Sequence, residues 1–100
     1  MGFDRIAEAL GHQLRRHILV ALLDHNPVNQ SEVIARNRTG ENADVALRLF
    51  HMHFPKLDHM GYIVWDRDQG TILKGPNWEE IGPVVRTLRD NADGLPDDTF

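Results

Sequence analysis

Apolar positions recur at helical spacing through most of the chain. Phe3, Ile6, Ala7 and Leu10 share one face of a short first helix, which Gly11 interrupts. Leu14, Ile18, Ala21 and Leu22 form the stripe of a second helix over residues 12–25, with Leu19 and Leu23 beside it. His25-Asn26-Pro27 is turn chemistry, and Val28 begins a short strand expected to pair with a later hairpin. Asn29-Gln30-Ser31-Glu32 has the form of a capping box, a side-chain acceptor followed three residues later by Glu. It opens a short third helix with Val33 and Ile34 inward, closed by Arg38-Thr39-Gly40.

The longest periodic stretch follows, over residues 42–60. At 100° per residue, Ala43, Ala46, Leu47, Phe50, Phe54 and Leu57 fall within roughly a third of the circle, an arc able to face a core. Val45, Leu49 and Met52 form a second apolar strip, suited either to thymine methyl groups or to a second packed face. Pro55 predicts a kink or break, because it cannot donate to the carbonyl of His51 and its ring crowds that carbonyl. Gly61 ends the helix. Tyr62, Ile63, Val64 and Trp65 are strong strand formers, DRDQG is a turn, and Thr71-Ile72-Leu73 returns as a second strand. The hairpin therefore spans residues 62–73.

Asn77-Trp78-Glu79-Glu80 repeats the capping pattern and starts a terminal helix over residues 77–92, with Trp78, Ile81, Val85 and Leu88 on one stripe. Gly82-Pro83 is expected to interrupt or bend it. Residues 93–100 read as a disordered acidic tail. The expected fold class is mostly α with a small β-hairpin (α+β), one domain over residues 1–92. A helix with one buried face feeding a hairpin is the working end of a winged helix-turn-helix.

Charge changes the picture only locally. The 100 residues carry a net charge of −4, a mild argument against nucleic acid, whose partners are usually basic. Residues 1–25 and 26–74 are each neutral, and the excess lies in residues 75–100, where Arg86 and Arg89 face six acids. Nine arginines against two lysines, and ten aspartates against five glutamates, suit a high-salt cytoplasm. The chain has no cysteine, which excludes disulfides and thiolate metal sites. No run of about 18 apolar residues exists, and no basic-then-apolar leader opens the chain, so a soluble cytoplasmic protein with no membrane span is expected.

RRHILVALLDH, the short third helix and LFHMHFPKLDHMGYIVWDRDQGTI together resemble winged helix-turn-helix transcriptional regulators of the arsenical-resistance-repressor type. His51, His53, Phe54, Leu57 and Gly61 stand where that family carries a histidine-bearing stretch, a leucine and a glycine before the first wing strand. HFPKLDHMGYIVWD is closer still to small winged-helix domains of salt-loving archaea. The resemblance covers about residues 3–74. It implies DNA binding as a homodimer paired through the first and terminal helices, here Phe3, Ile6, Trp78, Ile81, Val85 and Leu88, and the stripe of Trp78, Ile81, Val85 and Leu88 has packing on its own domain as its other role. Two departures stand out. Asn42-Ala43-Asp44-Val45-Ala46 offers little to base edges where the family has Ser, Thr or Gln, and the cysteine pairs of the metal-sensing branch are missing.

On this reading helix 42–60 enters the major groove of double-stranded DNA and the wing 62–73 reaches the backbone or minor groove. Arg48 is the candidate base contact, with Met52 beside it. Lys56, His51 and His59 are candidates for phosphate or base edges, Arg36 and Arg38 for the backbone, and Arg67 for the wing tip. Arg15 and Arg16 lie off the core stripe, as phosphate contacts or as a solvated face.

Three rivals are weighed against it. A winged-helix protein-interaction module that does not bind DNA fits the neutral head, Asp44 and the two apolar strips. A histidine-based metal sensor fits poorly. His51 and His53 lie about 200° apart on a regular helix, so shared chelation with Asp58 and His59 would need a break at Pro55 or a second subunit. An enzyme fits least: no nucleophile, acid–base pair or phosphate-cradling glycine loop has a recognisable spacing. No cofactor or metal is expected.

Overall fold

A computed structural model describes residues 2–37 and 44–100. The order is α1 (Gly2–Leu10), α2 (Gln13–Asp24), β1 (Val28–Asn29), α3 (Gln30–Asn37), α4 (Asp44–Arg48), a π-helical turn (Leu49–His53), α5 (Phe54–His59), β2 (Ile63–Asp66), β3 (Thr71–Lys74) and α6 (Trp78–Asp90). The described residues are mostly helical, with one three-stranded antiparallel sheet in the order β1-β3-β2. Val28 pairs with Ile72, and Trp65 pairs with Ile72 from the other side. The short strand expected at Val28 is thus present. The expected linker after the third helix, with Arg38, Asn42 and Ala43, lies outside the described residues.

α4, the π turn and α5 follow one right-handed helical path. Phe54 N–H donates to the Leu49 carbonyl, five residues back, instead of four. Pro55 explains the location: it has no N–H to give to His51, so an α-helical ladder is already broken there. The wider turn holds one extra residue and turns the downstream segment back by roughly 100°. The expected arc holds at Phe54 and Leu57 and fails at Leu47, while Val45 and Leu49 take the packed role that was one of the two open to the second strip. Val45 and Leu49, from the second strip, come into line with Phe54 and Leu57, from the first, and all four are buried. Leu47, expected inside, is 58 % exposed, and Met52 is 54 % exposed. Ala46 and Phe50 are half-buried.

The helix ends as its glycine predicts. Gly61 has φ +80°, its N–H donates to Asp58 O (2.9 Å), and Tyr62 N–H donates to Leu57 O (3.1 Å). This paired closure satisfies the last carbonyls and buries Tyr62 beside Leu57.

The two capping patterns differ in outcome. Asn29 Oδ1 accepts from Ser31 N–H (3.2 Å) and Ser31 O–H (2.9 Å), so it caps α3. Asn77 makes no side-chain cap. Its Nδ2 donates to Met60 O (3.1 Å), while Glu80 accepts from the Tyr62 hydroxyl (3.1 Å). Both side chains of that box are used to hold α6 to the α5–β2 corner.

Gly82-Pro83 does not interrupt α6, which runs through it. Pro83 is exposed, and so is Glu79, whose carbonyl it leaves without a backbone donor. Gly82 serves packing: a Cβ there would stand 2.5 Å from Trp78 Nε1. Trp78, Ile81 and Val85 are buried against the body of the chain, chiefly α2, and Ile6 of α1 is buried too. Leu88 is half-buried. Most of the expected dimer surface is therefore spent inside one chain, and only Phe3, 70 % exposed, is left open.

Arg15 and Arg16 serve neither expected role. Arg15 donates to Ala9 O (3.0 Å) and Glu8 O (2.9 Å), and Arg16 to Leu10 O (2.7 Å), so both close the carbonyl end of α1. Arg16 also donates to Thr99 O (2.8 Å) and Asp98 O (3.2 Å). The segment expected to be a disordered tail is held against α2 by these bonds. A 3-10 turn at Ala92–Gly94 begins it, and Phe100 lies half-buried at its end.

Replacing Gly82 with Ala should destabilise the fold by about 1–3 kcal/mol, since the methyl must displace a packed indole. A lowered urea midpoint with an unchanged slope would verify this.

Candidate nucleic-acid interface

The exposed side of the Asp44–His59 helix carries Asp44, Leu47, Arg48, His51, Met52, Asp58 and His59. This face is open because the π turn commits Val45, Leu49, Phe54 and Leu57 to the core. Arg48 and Met52 lie one turn apart on it. Arg48 has no hydrogen bond or ion pair among the described residues. Arg36, at the carboxyl end of α3, is likewise exposed and without such a partner. Arg38 lies outside the described residues.

Lys56 departs from expectation. Its ammonium sits 2.7 Å from Glu8 Oε1, tying α5 to α1, and this lysine holds the Glu8 carboxyl below its ordinary pKa. To meet a phosphate this lysine would have to leave Glu8. His59 is exposed and borders a recess with Pro55, Asp58, Trp65 and Arg67.

The hairpin is fixed to the helix by contacts that sequence patterning did not disclose. Phe50, Phe54 and Trp65 form a triangle with ring centroids 5.9, 5.4 and 5.0 Å apart. Trp65 N–H donates to Asp58 Oδ2 (2.8 Å), and its indole N–H donates to Gln30 Oε1 (2.9 Å). Gln30 N–H donates to Gly70 O (2.9 Å). The wing is thus attached both to α5 and to the start of α3. Arg67 lies over the Trp65 ring, 4.3 Å from its centroid, which sets the guanidinium beside the helix. Trp65 read only as a strand former in the sequence. Its single hint was an aromatic following two phenylalanines at helical spacing.

The acids here are engaged in local structure. Asp58 accepts the Trp65 amide, and Asp66 accepts the Gln69 amide (3.0 Å). Asp68 stays exposed at the wing tip.

His53 differs from its neighbours His51 and His59. It is fully buried. The added residue of the π turn carries it inward, against His12 (ring centroids 4.2 Å apart) and Arg15. Arg15 donates to His53 Nδ1 (3.1 Å). A guanidinium only donates, so Nδ1 is the acceptor and the neutral ring carries its proton on Nε2. That Nε2 is buried without a partner among the described residues. Burial, then His12, Arg15 and Arg48, push the His53 pKa down to about 4. Burial and the same arginine neighbourhood lower His12 as well. Among the described residues no group of three His, Cys, Asp or Glu is placed to hold a metal ion. Among them, too, no helix is long and apolar enough to cross a membrane.

No family model, curated protein or solved structure matches this chain.

His53 predicts a pH dependence of stability. Between its ordinary pKa of about 6.5 and about 4, the unfolded chain takes up a proton that the folded chain refuses. Stability is therefore full above that window and falls as pH drops through it. Urea titrations at several pH values should show this decline, and His53→Gln should flatten it.

Proposed function

We propose that this chain is a winged helix-turn-helix domain that binds double-stranded DNA as a cytoplasmic transcriptional regulator. The reading rests chiefly on one observation. The exposed face of the Asp44–His59 helix presents Arg48 unpaired among the described residues, with Arg36 lining the same recess and Arg67 held on Trp65 in the wing. The element order and the β1-β3-β2 sheet support it, because a helix followed directly by a hairpin is the arrangement that reads groove and backbone together.

In this mode the helix lies in the major groove. Arg48 is the base-reading residue, suited to the O6 and N7 of guanine. Met52 and Leu47 beside it suit thymine methyl groups. Arg36 and Arg67 hold the phosphates on either side, and these contacts set the register. Lys56 is paired with Glu8 and makes no phosphate contact in this mode. The net charge of −4 does not oppose this surface, since the negative excess lies in residues 75–100. The Asp-rich, Lys-poor composition suits work in a salt-rich cytoplasm. A homodimer reading two half-sites would double the contacts, and Phe3 on α1 is the exposed apolar residue from which pairing would start.

A second reading is favoured by a specific observation. Leu47 and Met52 are large, apolar and more than half exposed on the same face. They suit a protein partner docked on the helix instead of DNA.

Fluorescence anisotropy with a random-sequence duplex over a salt series separates the two. If Arg36, Arg48 and Arg67 all displace counterions, log K should fall against log salt with slope about −2.7 for a monomer and about −5.4 for a dimer. Arg48→Glu should abolish retention, and Arg86→Glu on α6 should not. Absence of binding at low salt would rule out the DNA reading and leave the protein partner.

A further inference from the structure

A recess of about 230 Å³ lies between α2 and α3, beside a second of about 250 Å³ that opens toward α4. His17, Arg36 and Asn37 line both. The first is otherwise apolar, walled by Val20, Ala21 and Val33 and covered by Phe100. The second adds Arg48. No Asp or Glu among the described residues lines either.

Its polar wall is built rather than incidental. Asn37 Nδ2 donates to Val33 O (2.8 Å), which turns its Oδ1 toward His17. His17 Nδ1 hydrogen-bonds that oxygen. The chain of bonds fixes both side chains and leaves His17 Nε2 buried without a partner among the described residues. Arg36, at the edge common to both recesses, has no partner among them either. The cleft thus combines an apolar slot, a fixed polar wall and an uncommitted guanidinium.

We propose that this cleft binds a small aromatic carboxylate. A dry apolar cavity of about 150 Å³ accepts benzene, so the slot under Phe100 has room for a ring and one substituent. A carboxylate is the group that a guanidinium fork binds best, and no acid among the described lining residues competes for it. The ring lies between Val20 and Val33, and the carboxylate meets Arg36. Arg48 in the adjoining recess connects the cleft to the exposed helix face. If the DNA reading above holds, ligand and duplex compete for Arg36 and Arg48, and the carboxylate acts as an effector that releases DNA.

The test is titration of the free protein with benzoate, followed by amide chemical shifts and calorimetry. Benzyl alcohol serves as the uncharged analogue and inorganic phosphate as the anion without a ring. Saturable benzoate binding is expected, with shifts centred on Val20, Val33 and Asn37. Arg36→Gln should weaken it about tenfold, the effect of one lost charge-assisted hydrogen bond. Val20→Phe, which fills the slot, should abolish it, and Arg86→Gln should leave it unchanged. The proposal is overturned if benzoate does not saturate, if benzyl alcohol or phosphate binds as well, or if Arg36→Gln has no effect. Arg36 is exposed, so that variant keeps its fold. Benzoate should then release a bound duplex. A duplex that never binds removes the DNA reading and leaves the benzoate result standing.

Discussion

Pro55 withdraws one donor from the middle of the chain's central helix, and the π turn before it is the structural response. A proline inside a helix leaves a carbonyl unbonded and crowds the preceding turn. Here the helix widens by one residue at Leu49–His53 and continues. That extra residue decides which side chains reach the core, because every position after it is rotated relative to every position before it. Val45 and Leu49 join Phe54 and Leu57 in the interior, and Leu47 and Met52 are left outside. The same rotation drives His53 against Arg15 and His12. The exposed face proposed to read DNA and the buried histidine both go with this π turn.

Four of the nine arginines are used as architectural residues. Arg15 and Arg16 close the end of α1 through three carbonyls, and Arg16 also fastens the segment before Phe100. Arg5 donates to Met60 O (2.6 Å) and lies over the Tyr62 ring. Arg89 pairs with Asp24 (2.6 Å). A planar fork with five donors meets several carbonyls at once, which an ammonium does less well. This accounts for a surface poor in lysine without any appeal to net charge. It also isolates Arg36 and Arg48, the arginines on the proposed working side that lack such a task among the described residues.

The hairpin owes its position to side chains from three separate stretches. Gln30 accepts the Trp65 indole N–H on its side chain and meets the Gly70 carbonyl with its backbone N–H, Asp58 binds the Trp65 amide, and Phe50 and Phe54 pack on the ring. An isolated two-stranded hairpin is marginal in water, so these contacts and the pairing with β1 are what hold it. Arg67 inherits its placement from Trp65.

The elements themselves were legible in the sequence. Apolar spacing marked the helices, Gly61 marked a helix end through its need for positive φ, and the β-branched and aromatic run marked the first wing strand. These features are local, and local backbone preference decides them. What the tertiary structure alone decided is phase and partnership. A constant 100° step cannot anticipate an inserted π residue, so the wheel placed Leu47 inside. Asn77 and Glu80 have the form of a capping box, yet stronger partners across the fold, Met60 O and Tyr62, claim them. Lys56 looked available for a partner until Glu8 was brought against it, and the Trp78, Ile81 and Val85 stripe, open to a partner or to its own domain, was claimed by α2. A side chain's availability depends on what folding carries to it from distant positions, and sequence spacing does not contain that information.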